Sequence, residues 1–107
     1  MGASKVEFYS PEIIEIANIA KVFSHPARVA IIKHISDQNT CICNDLVDEI
    51  GLAQPTISQH LDVINKAGLL KGDYKGISKC YCINKKGLQN AQALLSQFFQ
   101  TATSKCC

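Results

Sequence analysis

The sequence predicts a mainly α fold with one small β-hairpin set between a fourth and a fifth helix. Three observations carry this expectation. Apolar residues recur at helical spacing in separate stretches up to about residue 68. The turn-forming run Gly72-Asp73-Tyr74-Lys75-Gly76 divides two short strand-like segments. Helical spacing then returns from Gly87 onward.

Taken in order, the first helix is expected over 11–23, with Ile13, Ile16, Ala17, Ala20 and Phe23 as its apolar stripe. Ser10 suits its N-cap and Pro11 its first position, where no backbone N–H is required. Pro26 opens a second helix whose inner face holds Val29, Ile32 and Ile35. A polar turn, Asp37-Gln38-Asn39-Thr40, leads to a short helix over roughly 44–50 with Leu46, Val47 and Ile50 inward. Gly51 suits the left-handed residue that ends it. Pro55 starts the next helix, and Ile57, Leu61 and Ile64 at i, i+4 and i+7 face the core until Gly68. Strands follow over 69–71 and 77–83, with Lys79, Tyr81 and Ile83 on one face and Cys80 and Cys82 on the other. The last helix, over 87–102, carries Leu88, Ala91, Leu94, Leu95, Phe98, Phe99 and Ala102. So broad an apolar face suits a second copy of the chain as well as its own core. The expected organisation is an N-terminal arm (1–10), a single domain (11–103) and a cysteine-bearing tail (104–107).

The stretch from Leu46 to Leu70 contains a short helix, a glycine turn and a second helix, which is a helix-turn-helix. With the hairpin after it, the whole is a winged helix-turn-helix in the order α-α-α-α-β-β-α. The second of those helices leaves Gln54, Thr56, Ser58, Gln59 and His60 at its exposed start. Short hydrogen-bonding groups of this kind read base edges in the major groove. A merely solvated face is the bland alternative, but such faces are rich in Glu and Lys, and the first turn has neither.

The chain has 107 residues, 47% hydrophobic and 19% charged, with a net charge of +2. Division along the chain is more informative. Up to Ala53 four basic residues oppose seven acids, whereas from Gln54 to Lys86 six lysines oppose Asp62 and Asp73. A basic later segment suits a phosphate backbone, and a solvated lysine face is the competing explanation. No apolar run approaches the ~20 residues that span a bilayer, and the start lacks a secretory apolar stretch, so a cytoplasmic protein without a membrane partner is expected. No Cys-x-x-Cys, Ser/His/Asp set or phosphate loop is present, which argues against an enzyme.

Ser24-His25-Pro26-Ala27-Arg28, then Gln54-Pro55-Thr56-Ile57-Ser58-Gln59-His60-Leu61, then Ala67-Gly68-Leu69-Leu70 resemble the ArsR/SmtB repressors of arsenic and metal resistance. The resemblance runs in order over roughly residues 11–100. It implies a homodimer, joined through the first and last helices, that binds an inverted-repeat operator on double-stranded DNA and leaves it when an inducer binds. Lys71, Lys75 and Lys79 then fall on the wing, where they would contact phosphates. Arg28 lies outside the basic segment and suits helix packing as well as DNA.

Six cysteines come as close pairs: Cys41/Cys43, Cys80/Cys82 and Cys106/Cys107. Residues so close in sequence are poor disulfide partners for each other, and the pattern suits thiolate ligands or redox chemistry. Thr40-Cys41-Ile42-Cys43-Asn44-Asp45-Leu46 resembles the Cys-Val-Cys-Asp-Leu box of the arsenic- and cadmium-sensing members, at the start of the helix before the recognition helix. That likeness implies As(III), or a soft divalent metal such as Cd(II) or Pb(II), as inducer, with Cys41 and Cys43 as ligands. Some arsenic sensors carry a third cysteine where this chain has Leu46. Cys106 and Cys107 are the expected suppliers of the missing thiolate, with Cys80 and Cys82 as the alternative. A zinc site on the last helix is rejected, because residues 88–103 contain no His, Asp or Glu. Two further possibilities stay open: a repressor of the same fold that responds to thiol oxidation or reactive sulfur, and bland cysteines, with Cys80 and Cys82 acting only as small apolar strand residues and Cys106 and Cys107 as a frayed tail. His25, His34 and His60 are expected to be structural or DNA-facing rather than ligands.

Overall fold

The computed structural model describes residues 8–38, 40–44, 46–77 and 79–105. Helix α1 (Pro11–Val22) begins where expected, with the Ser10 hydroxyl accepting from the Ile13 N–H at 3.3 Å. Helix α2 (Pro26–Asp37) is capped by an imidazole, since His25 Nδ1 accepts from the Ala27 N–H at 3.0 Å. Each helix has proline in its first turn, where the missing donor costs nothing.

Helix α3 (Val47–Ile50) is shorter than the 44–50 expectation. Ile42 and Tyr81 explain the difference. They exchange two backbone hydrogen bonds (Ile42 N–H to Tyr81 O 2.7 Å, Tyr81 N–H to Ile42 O 2.9 Å), which places Ile42 in an isolated bridge ahead of the helix. The Tyr81 hydroxyl also donates to the Asn44 carbonyl at 3.3 Å. Helical geometry therefore starts only after Leu46, whose side chain is fully buried. Gly51 ends the helix at φ +79°, a left-handed conformation that side chains with a Cβ rarely adopt.

Helix α4 (Gln54–Lys66) buries Ile57, Leu61 and Ile64 completely, as their spacing predicts. Strands β1 (Leu70–Asp73) and β2 (Cys80–Ile83) pair antiparallel, with Leu70 opposite Ile83 and Asp73 opposite Cys80. The turn sits later than expected because β1 continues through Asp73. That carboxylate then accepts from the Lys75 and Gly76 N–H groups at 3.0 and 3.2 Å, a local closure that side-chain oxygens favour. Helix α5 (Lys85–Ser104) is capped by Asn84, which accepts from the Gly87 N–H and donates to the Gly68 carbonyl at 3.0 Å.

The core is one cluster in which α2 packs on α3, α4 and β2, while α1 rests on α4 and α5. Tyr81, Ile31, Ile35, Leu46, Ile57, Leu61, Ile64 and Leu69 are its largest enclosed side chains. Phe8, Tyr9 and Ile13 at the start of the chain, and Phe98 and Phe99 on α5, stay exposed. Among the described residues, no helix is long and apolar enough to cross a membrane.

The start of α5 meets the end of α4 so closely that a Cβ on Gly87 would run into the Gly68 carbonyl oxygen. Gly87→Ala is therefore expected to destabilise the fold by about 1–3 kcal/mol, the usual cost of overpacking. Urea unfolding followed by circular dichroism measures this, and an unchanged midpoint would contradict the close approach.

Candidate nucleic-acid interface and thiol cluster

Helix α4 presents its first turns to solvent because its apolar residues turn the opposite way. Thr56 and Gln59, three residues apart and hence neighbours on one face, are both exposed. Ser58 is half-buried and accepts a hydrogen bond from Gln54 Nε2 at 3.2 Å. Gln54 is thus less open than the sequence predicts, and its Oε1 is buried without a hydrogen-bond partner. The outward row begins with Thr56 and Gln59.

His60 turns toward the α1–α2 junction. Arg28 donates through Nη1 to His60 Nδ1 at 3.1 Å, which requires that nitrogen to be unprotonated. The same guanidinium donates to the Val22 carbonyl (3.1 Å), the Lys21 carbonyl (2.8 Å) and the Ser24 hydroxyl (3.2 Å). Arg28 therefore serves packing: it closes the end of α1 and ties it to the recognition helix. The His25 ring lies 4.6 Å from that of His60. Burial first, then the neighbouring His25 and Arg28 charges, holds His60 below the ordinary histidine value.

The wing is fastened to α4 by a contact the hydrophobic pattern could not reveal. The Tyr74 hydroxyl donates to Asp62 Oδ1 at 2.5 Å, and Lys75 Nζ pairs with the same oxygen at 3.1 Å. Lys75 also lies over the Tyr74 ring. Of the three wing lysines expected at phosphates, Lys71 is exposed, Lys79 is half-buried, and Lys75 is partly engaged by Asp62. The Tyr74 and Lys75 hydrogen bonds keep the Asp62 carboxyl below its usual range. Burial, reinforced by Asp62, pushes the Tyr74 hydroxyl up to about 12.

The third feature is a cluster of sulfurs. The Ile42–Tyr81 bridge sets residues 41–43 antiparallel to β2, so Cys41 faces Cys82 and Cys43 faces Cys80. Cys43 and Cys80 form a disulfide with Cα atoms 4.1 Å apart. Cys41 and Cys82 are free thiols in hydrogen-bond contact; that contact first, then burial, raises the Cys82 thiol, while Lys71 opposes the shift. The pairing joins the expected box to the wing pair held as the alternative supplier. Its only signal in sequence was two Cys-x-Cys runs of equal spacing, each around an apolar residue. The box itself differs from expectation: it lies in the bridge segment rather than at the helix start, so the α3 N-terminus does not act on it directly. Among the described residues, with Cys43 and Cys80 joined, no group of three or more His, Cys, Asp or Glu stands ready to hold a metal ion. Cys106 and Cys107 lie outside the described residues.

Comparison with known proteins agrees with this geometry. Residues 25–71 match the family model described as bacterial regulatory protein, arsR family. The chain is 38% identical over 68 residues to an uncharacterised HTH-type transcriptional regulator of Methanocaldococcus jannaschii, covering 63% of this chain and 75% of that protein. It is 31% identical over 71 residues to the HTH-type transcriptional repressor SmtB of Mycobacterium tuberculosis, covering 65% of this chain and 52% of the relative. The arsenical resistance operon repressor of Staphylococcus xylosus is 31% identical over 74 residues, with 69% and 70% covered respectively.

The wing fastening predicts a measurable titration. An ultraviolet titration should find one tyrosine ionising near 12 rather than near 10, and Asp62→Asn should lower it part of the way back, since burial remains. The sign follows: a folded-state value above the unfolded one adds stability that is complete below pH 10 and lost as pH rises through 12. Three tyrosines all ionising near 10 would sink this account.

Proposed function

This chain belongs to the ArsR family of bacterial regulatory proteins, transcriptional regulators rather than enzymes, and on that premise we propose a dimeric repressor switched through its cysteines. It binds an inverted-repeat operator and leaves it when As(III), or a soft metal such as Cd(II) or Pb(II), is held by cysteine thiolates, with Cys41 and Cys43 at the centre of the site. It acts in the cytoplasm, where its DNA is. The Staphylococcus xylosus relative, named for arsenical resistance, supports this inducer class. The observation that carries the proposal is the position of the box. Cys41 and Cys43 flank the residue that pairs with the wing, immediately ahead of the helix-turn-helix. A ligand drawn onto these sulfurs acts on both DNA-contacting parts at once.

Thr56 and Gln59 read base edges, with Gln54, Ser58 and His60 shaping the same end of α4. Lys71, Lys75 and Lys79 contact phosphates. Dimerisation uses the apolar residues left exposed on α1 and α5, which lie on two packed helices. A second reading, an oxidation- or reactive-sulfur-responsive repressor, is favoured by the Cys43–Cys80 disulfide, which ties the segment before α3 to the wing.

Fluorescence anisotropy on an operator from the chain's own promoter separates the readings. Reduced protein should release DNA at near-stoichiometric As(III) or Cd(II), and Cys41→Ser/Cys43→Ser should not. Release by an oxidant or persulfide donor alone would favour the second reading instead. On the same operator, Gln59→Ala should cost about 1–3 kcal/mol and relax preference at one base pair, whereas Lys71→Ala should lower the salt slope by about 1 with sequence preference unchanged. Equal effects of the two variants on every sequence would argue against α4 as the reading helix.

A further inference from the structure

Four cysteines that the sequence separates into two distant runs lie on one side of a single backbone bridge. Ile42 and Tyr81 form a hydrogen-bonded pair, and both side chains are buried. In an antiparallel ladder the pairs on either side of such a pair are non-hydrogen-bonded, with Cα atoms about 4.5 Å apart and side chains on the opposite face. Those positions are Cys43 with Cys80, whose Cα atoms are 4.1 Å apart, and Cys41 with Cys82, which the same bridge sets opposite each other. A cleft of about 540 Å³ opens beside Cys41 and Cys82, and Lys71 and Lys85 line it.

We propose that, once the Cys43–Cys80 disulfide is reduced, Cys41, Cys43, Cys80 and Cys82 of one chain form a four-thiolate site for a soft divalent cation of the cadmium and zinc class. This rests on the thiol-controlled repressor reading above and names its ligands. A dithiol reductant gives the disulfide two electrons and two protons and leaves as its own cyclic disulfide. The cation then displaces four protons and forms four metal–sulfur bonds, leaving the site with a charge of −2. Lys71 and Lys85 stand where they offset that charge, and the cleft gives the cation a path to the sulfurs. Successive same-side residues of a strand are about 6.6 Å apart along the chain. Side-chain rotation brings four sulfurs from that spacing to the edge of about 3.8 Å that a tetrahedron with ~2.3 Å bonds requires. Four donors fit a tetrahedral divalent ion better than As(III), which takes three. The bound ion would fasten the wing strand to the segment ahead of α3 without using the partner chain.

The test uses the intact reduced chain and cadmium alone. Anaerobic titration should give a thiolate-to-cadmium ultraviolet band that saturates at one ion per chain. Alkylation of the cadmium-loaded protein, read by mass spectrometry, should spare Cys41, Cys43, Cys80 and Cys82 while Cys106 and Cys107 react. Cys80→Ser/Cys82→Ser should weaken cadmium by more than about 100-fold, and Cys106→Ser/Cys107→Ser should not. Alkylation of Cys80 and Cys82 at the same rate with and without cadmium overturns the site in the wild-type chain, whatever the variants do to folding. That result leaves the repressor proposal intact. Cadmium bound by these four cysteines with no change in operator affinity would instead support the site and sink thiol control of DNA binding.

Discussion

The pairing of Tyr81 with Ile42 is the contact on which the functional parts depend. Tyr81 gives its backbone to Ile42 through two hydrogen bonds, its ring to the core, and its hydroxyl to the Asn44 carbonyl. Its ring also meets Tyr74 edge-on at 6.3 Å, and Tyr74 in turn binds Asp62 on α4. A short series of contacts thus runs from the cysteine segment through the wing to the recognition helix. Each hydrogen bond contributes only about 1 kcal/mol net and an aromatic pair a similar amount. Their effect comes from sharing residues, so that displacing one member strains the next.

The recognition helix is held from its other side as well. Arg28 closes the end of α1 and reaches His60, while Ile57, Leu61 and Ile64 fix the inner face of α4 against the core. Between Arg28 on one flank and Asp62–Tyr74 on the other, α4 has little freedom to rotate by itself. Thr56 and Gln59 therefore keep their orientation relative to the wing, so that under the proposed function a change at the bridge would reach the candidate reading row and the wing lysines together.

Much of this fold was legible in the sequence because its helices obey local rules. Proline in the first turn, Ser10 as cap, Gly51 and Gly68 at positive φ, and the Ile57–Leu61–Ile64 stripe all act within a few residues. The short α3 was not legible, because its start is set by Tyr81, far along the chain. For the same reason the box was expected at a helix start and lies in a bridge instead. The pairing of Cys43 with Cys80 depends on register between segments 37 residues apart, which periodicity does not encode. Arg28 and Asp62 were obscure for a related reason: each is an ordinary surface residue until a partner from another element arrives. The candidate readers divided along the same line, since burial of Gln54 and the turn of His60 toward Arg28 follow from packing rather than helix position.

A thiol switch at this place need not be strong to be effective. Coupling between two sites in one protein is commonly about 1–3 kcal/mol. In a symmetric dimer on an inverted repeat, each half-site feels the switch in its own protomer. A modest penalty of about 1.4 kcal/mol per protomer lowers affinity tenfold once and about a hundredfold for the pair. The bridge suits such a penalty because it joins the wing to the segment just ahead of the helix-turn-helix, with its four cysteines outside the buried cluster. Only Ile42 and Tyr81 point inward, so the sulfurs can change their bonding while the hydrophobic cluster stays intact. Burying the ligands instead would make stability and sensing the same variable. Placing them on the outer face of the bridge would let the proposed switch change the geometry ahead of the helix-turn-helix while the hydrophobic cluster stays packed.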